Sequence, residues 1–433
     1  MQDSIPARLV RLVAEVEPHE VRAVLVAFAV NFVLLASYYI LRPLRDTMAT
    51  VFGVEQLQYL FFATFVGTLV CSPLYTALAA RLRLRLFLPG VFWFWLVNIL
   101  LFYALFEVMP SSRAVAAGYY LWFSVVNLFL ISVFWSLMVD LFSPRQATRL
   151  FGVISAGGSI GAIGGPLLTR MLVHAVGVGG LLLIAAAGFL LVIAMIYVLM
   201  HEKERLQATG DETQQSTLNH SLPGNPFDGF SRLFQSAYMI NQALFFLLMT
   251  WIATIAYFMQ TDLVAKAFAD IASRTQVFAD IDLAVNVCSA LIATFGIGRL
   301  VQRFGVTAGL LANPIVMIVT FIGIALSPTL LMVQALQIIR RVGQYAVARP
   351  SREICFTVVE QESRYKVKNV IDTVVYRFGD VSAAWVQAGL RAAGLGLGAA
   401  IGLAVGASVI WGAVAIALGR RYEQLRAAMS SSQ

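Results

Sequence analysis

The sequence predicts an all-α membrane protein of twelve transmembrane helices in two six-helix halves, on three observations. The first is composition. Of 433 residues, 59% are hydrophobic and 12% charged, with a mean hydropathy of +0.80, whereas a water-soluble domain carries about 25% charge. The second is spacing. Apolar runs recur at the length of a crossing helix, about 20 residues, six before a polar stretch and six after it. The third is charge. Basic residues crowd onto alternate turns, and that alternation demands an even number of crossings. A cytosolic enzyme, a secreted disulfide scaffold and a disordered hub are excluded by composition.

A leader, 1–22, comes first. Asp3, Glu15, Glu17 and Glu20 break any signal-peptide pattern. Ile5, Leu9, Leu12 and Val16 recur at helical spacing, which fits either an amphipathic helix on the membrane surface or a solvated leader. The first half, 23–200, takes runs at about 23–41, 57–80, 86–108, 114–141, 151–173 and 179–200. A polar linker, 201–236, holds Pro223, Gly224 and Pro226. The second half, 237–419, takes runs at about 237–261, 281–301, 306–326, 330–354, 370–390 and 395–419, and 420–433 forms a tail.

Arg81–Arg85, Arg145, Arg149, Lys203, Arg205, Arg299, Arg303, Arg364–Lys368 and Arg420–Arg426 share one side with the N-terminus. Arg42, Arg45, Arg113, Arg170, Lys266, Arg274 and Arg391 fall on the other. Both termini and the linker are therefore expected in the cytoplasm, and the membrane is expected to be a bacterial inner membrane. The net charge of +8 reads as loops facing anionic lipid. No basic run is interleaved with aromatics as a nucleic-acid groove requires. Cys71, Cys288 and Cys355 make no paired or metal-binding spacing. No cofactor or metal is expected, and the chain is expected to be a monomer. Matching basic turns in the halves (Arg145/Arg149 with Arg364/Lys368, Arg81–Arg85 with Arg299/Arg303) suggest a major-facilitator-type fold, whose halves rock about a site near the membrane midplane.

An ionisable side chain inside a span costs about 2.5–3.5 kcal/mol, so such residues mark candidate sites. In the tenth run Gln334, Gln337, Arg341, Tyr345, Ala348 and Arg352 form one helical stripe, with Arg340 beside it. Pro350 removes the hydrogen bond to the Ala346 carbonyl and predicts a kink. The stripe lines a cavity, or its arginines sit in structural pairs with Asp372 or Asp380. In the first run Asn31, Tyr38, Arg42 and Arg45 share a face, with Pro43 expected to end the helix. The arginine fork suits phosphate or carboxylate. Alternatively Arg42 and Arg45 anchor the outer leaflet and pair with Asp46. The fourth run presents Tyr120, Ser124, Asn127 and Trp135 on one face, fit to stack on a ring or simply to pack. In the fifth, Gly157, Gly161 and Gly165 at four-residue steps permit close helix contact. The eleventh holds Asp372, Tyr376, Arg377 and Asp380, preceded by Lys366 and Lys368.

Tyr39-Ile40-Leu41-Arg42-Pro43-Leu44-Arg45-Asp46, the Arg145–Arg149 turn and Lys366-Val367-Lys368-Asn369-Val370-Ile371-Asp372 resemble the ATP/ADP translocase family. The resemblance implies a twelve-span carrier that exchanges nucleotides without hydrolysing them. It places the family's span-one lysine at Arg45 and its lysine before span eleven at Lys368, or else Lys366. Two family glutamates fall at Tyr120 and near Gln260, neither of them acidic here.

The expected function is a secondary transporter for an anionic, phosphate-bearing solute, with ATP/ADP exchange as the form the resemblance implies. Substrate contacts are expected from Arg42, Arg45, Tyr120, Asn127, Gln260, Arg341, Tyr345, Lys366 and Lys368. Gating ion pairs are expected among Asp46, Arg340, Asp372, Arg377 and Asp380. The partners expected are that small anion and membrane lipid. A lipid or lysophospholipid flippase and a non-transporting membrane sensor stand as alternatives. An enzyme does not fit, because no nucleophile–base pair, metal cluster or phosphate loop is present in the sequence.

Overall fold

The computed structural model describes residues 16–81, 84–208, 228–295 and 297–431. The expected leader helix lies largely outside the described residues, as does the middle of the linker. All regular structure among the described residues is helical.

Span one runs Val21–Phe52, span two Leu57–Arg81, span three Leu84–Val108 and span four Arg113–Leu141. Spans five and six form one interrupted helix, Pro144–Ala208, broken at Gly177. Its φ of 66° is open only to a residue without a side chain. A short helix, Asp228–Gln235, precedes span seven, Ala237–Ala267. Span eight includes Ile271–Phe295; a helix over Ile297–Leu326 is broken at Gly305, where a φ of 80° turns the chain into span nine. Span ten comprises Leu330–Gly343, a π-helical turn Gln344–Ala348, and Arg349–Cys355. Span eleven repeats that construction with Gln361–Val370, a π-turn Ile371–Val375, and Tyr376–Ala392. Span twelve is Leu397–Ser431.

Local chemistry sets several of these ends. Ser143 and Gln146 form a capping box: the Ser143 amide donates to Gln146 Oε1 (2.9 Å) and the Gln146 amide to Ser143 Oγ (3.4 Å). Pro144 occupies the first helical position, where no N–H is needed. Ser112 and Thr329 cap spans four and ten by accepting from Val115 and Met332 amides. Asp270 accepts from the Ser273 amide at 2.6 Å, a bond that holds its carboxyl below the usual carboxylate range. That cap starts span eight ten residues before the predicted apolar run. Span one, expected to end at Pro43, continues to Phe52. The proline is contained within the helix, and one turn on the Thr47 hydroxyl donates to the Pro43 carbonyl at 3.0 Å.

Nine helical stretches among the described residues are long and apolar enough to cross a membrane, and one of them holds both spans five and six. Spans ten and eleven fall outside that set because charged residues interrupt them and π-turns divide them. The π-turn in span ten lies just before Pro350, and the Arg349 amide reaches back five residues to the Gln344 carbonyl. The ladder thereby accommodates the hydrogen bond that proline cannot donate.

The described residues form two compact units: one from those up to Phe52, those from Val66 to the linker, and Ala269–Leu283; the other from Gly53–Phe65, those from the linker to Phe268, and those from Ala284 onward. The first is built around Trp95, stacked on Phe189 (centroids 5.3 Å, planes 3° apart) and packed on Trp122 and Phe123. Spans one and five approach closely in it. A methyl added at Gly157, Gly161 or Gly165 would strike the carbonyl oxygen of Phe28, Phe32 or Ala36. The core of the second gathers Phe245, Phe321 and Trp411.

Candidate substrate-binding site

In the first unit, span one presents its two arginines a turn apart. Arg42 lies 3.2 Å from Asp282 of span eight, a carboxylate only 1% exposed. Arg45 donates through Nε and Nη2 to Asp46 Oδ1 (2.9 and 2.5 Å), and its guanidinium lies 5.5 Å from the Tyr120 ring and 6.0 Å from Phe123. Tyr38 stacks on Phe123 at 5.2 Å. Structure thus brings Arg45, Asp46 and Tyr120 together. Asn127, two turns further along span four, is half-buried.

The same unit ties the first half of span eight to spans one and five. The Thr47 and Thr275 hydroxyls meet at 2.9 Å, and Arg274 donates to Thr50 at 3.0 Å. Arg170 pairs with Asp280 at 3.3 Å, and His174 meets Gln276 at 2.7 Å. Sequence reasoning missed Asp282, because the predicted start of span eight at 281 placed it at the rim. The available signal was an acid inside Ile281-Asp282-Leu283-Ala284-Val285.

In the second unit, Arg340 donates to Gln337 Oε1 through Nε (3.0 Å) and Nη2 (2.9 Å), and to Gln344 Oε1 through Nη1 (3.0 Å). Arg340 and Arg341 are both buried midway along span ten. Tyr345, at the start of the π-turn, is 38% exposed, whereas Arg341 is buried. Gln260 is buried in span seven. Asp380 lies 3.6 Å from Arg377 and accepts from the Thr254 hydroxyl at 2.9 Å.

A second charged group closes the ends of spans ten and eleven. Arg352, 2% exposed, holds Asp372 at 2.7 Å and Glu353 at 3.2 Å. Its guanidinium lies 4.2 Å from the Phe246 ring centroid, a cation–π contact in a desolvated place. Lys368 pairs with Glu353, and Lys366 is half-buried nearby in sequence. Asp372 therefore pairs with Arg352, where the sequence had offered Arg340 or Arg341. Sequence reasoning also missed Glu20, 1% exposed, which accepts from Gln146 (2.8 Å) and Arg149 (2.9 Å). Glu17, His19 and Glu20 stand close enough to share a cation. The two donors already on Glu20 make the group a clasp on the Arg145–Arg149 turn.

Long apolar helices that bury guanidinium and carboxylate groups inside their spans define a multi-pass membrane protein of the secondary-transporter class. The model of the Major Facilitator Superfamily matches residues 27–351, and the chain belongs to that superfamily. It is 22% identical to ADP,ATP carrier protein 1 of Chlamydia pneumoniae, over 87% of this chain and 85% of that protein. It is 24% identical to ADP,ATP carrier protein 1 of Chlamydia trachomatis, over 86% and 82%. These distant relatives agree with the resemblance read from the sequence. Among solved structures, a bacterial homologue of the iron transporter ferroportin in an inward-facing state aligns with TM-score 0.64 at 14% identity, over 92% of this chain and 98% of that one. A bacterial homologue of the human lysosomal transporter Spinster, inward-facing and unoccupied, aligns with TM-score 0.60 at 14% identity, over 95% and 98%. Those likenesses are of fold.

Proposed function

We propose that this protein carries an anionic, phosphate-bearing solute across a bacterial inner membrane by alternating access, with both termini in the cytoplasm, and that it works by exchange of the ATP/ADP type. The observation that carries the reading is the burial of Arg340 and Arg341 midway along span ten. Two adjacent guanidinium groups at that depth are expensive to keep, and intramembrane arginines mark solute pathways. Their planar donor forks match phosphate oxygens. Arg42 and Arg45, set among Tyr39, Tyr120 and Phe123, give span one the same chemistry. The distant likeness to ADP,ATP carriers supports a nucleotide as the solute. Arg42, Arg45, Arg341 and Lys368 bind the anion in this reading, and pairs such as Arg377–Asp380 and Arg352–Asp372 re-form as the transporter cycles.

The test is uptake of labelled ATP into liposomes holding the purified protein and loaded with ADP, with phosphate or with neither. Uptake that depends on internal ADP, and that Arg341→Ala abolishes, is the expected result. Undiminished uptake by Arg341→Ala would remove span ten from the binding site. No uptake under any loading would refute the exchange reading and favour a lipid flippase or a sensor.

A further inference from the structure

The first unit holds a cavity of about 190 Å³ between spans one, four and five. Its walls are apolar, from Leu35, Phe134 and Trp135 among others, and its polar groups are Asn31, Ser155 and Ser159. None of the residues lining it is charged. Phosphate and metal ions therefore have no partner there.

Asn31 is buried, and its amide nitrogen donates to the Ile154 carbonyl at 2.9 Å. That bond fixes the amide plane and leaves the side-chain carbonyl as an acceptor for an incoming N–H. Gly158 makes the arrangement possible: a methyl there would meet Asn31 Nδ2 at 2.6 Å and Leu35 Cδ1 at 2.9 Å. The Trp135 ring is braced by Phe134 (5.4 Å, planes at 74°) and Phe151 (5.3 Å, 58°). The Ser159 hydroxyl already donates to the Ser155 carbonyl at 3.4 Å, but an acyl chain would offer nothing to the Asn31 side-chain carbonyl, whereas a flat heteroaromatic ring with N–H donors would use both that acceptor and the apolar wall. The volume is that of a ring and well below the roughly 300 Å³ at which pockets for larger ligands begin.

Asn31 and Arg42 lie on the same face of span one, eleven residues apart. At 1.5 Å per residue that is roughly 16 Å along one rigid helix. We propose that the cavity is a ring subsite, which seats the heteroaromatic ring of a substrate whose anionic end reaches the Arg42–Arg45 end of span one. The proposal rests on the phosphate-solute reading above and adds to it the part of the substrate that confers selectivity. A ring joined directly to one charged group is too short to serve both ends, and an extended phosphate chain closes the gap.

Direct binding to the purified full-length protein tests it with three probes: ATP, tripolyphosphate as the anion without a ring, and adenosine as the ring without an anion. Trp135→Ala is expected to weaken ATP and adenosine roughly tenfold or more and to leave tripolyphosphate unchanged. Ser159→Leu, which fills the cavity from an exposed position, is expected to do the same and serves where Trp135→Ala does not fold. If tripolyphosphate binds and neither variant alters ATP, the ring subsite is wrong and the anion reading stands. Binding of adenosine alone, lost in both variants, would support the subsite and overturn the anion reading. No binding of any probe overturns both.

Discussion

Single side chains carry the clearest consequences of a membrane interior. Arg352 is enclosed by Asp372, Glu353 and the Phe246 ring. Its removal opens a void beside Phe246 and takes the shared partner from Asp372 and Glu353. Arg352→Ala is expected to lower the melting temperature in detergent sharply, and Arg352→Lys to recover little, because a point charge replaces neither the fork nor the flat face on Phe246. Arg42 and Asp282 make a second test. Each single replacement, Arg42→Gln or Asp282→Asn, is expected to reduce ATP exchange roughly tenfold or more, about 1.4 kcal/mol in the barrier. The reciprocal exchange Arg42→Asp with Asp282→Arg is expected to restore part of that loss. Equal loss in the reciprocal variant would show that the pair's orientation matters more than its charge balance. At this scale Arg42, Arg45, Arg340 and Arg341 were legible, because charge inside an apolar run stands out. Their partners were not: Asp282 lies 240 positions from Arg42, and spacing along the chain does not join them.

Helices as units were readable where packing follows from side-chain size. The glycines of span five pack against span one as their four-residue spacing predicts, and they offer an internal control. Gly161→Ala would drive a methyl into the Phe32 carbonyl, whereas Gly152 and Gly164 face open space. Gly161→Ala is expected to destabilise by about 1–3 kcal/mol as overpacking, with Gly152→Ala and Gly164→Ala near neutral in the same thermal-shift measurement. The ends of spans one and eight were misjudged for opposite reasons. Pro43 was given more power to end a helix than it has inside span one, and Asp270 was not credited with starting one. The π-turns were invisible, because five residues such as Ile371–Val375 read as ordinary helix. Pro350 hinted at one of them. Pro350→Ala returns an N–H to the ladder and is expected to raise thermal stability while slowing exchange, since it removes the reason for the π-turn that divides span ten.

For the molecule as a whole, composition and the alternation of basic turns settled the class before any contact was known. Selectivity was less legible, because a cavity such as that beside Asn31 is assembled from three helices and no single run encodes it. ATP uptake with and without internal ADP therefore remains the decisive whole-protein measurement, with dependence on internal ADP as the expected outcome. Spans ten and eleven each carry one surplus residue within an otherwise regular ladder. One extra residue offsets everything beyond it by about 100°, the angle per residue of an α-helix. The stretches before and after each π-turn therefore present different sides to their neighbours, and the buried Arg340 and Arg341 stand on one stretch of span ten while Arg352 stands on the other.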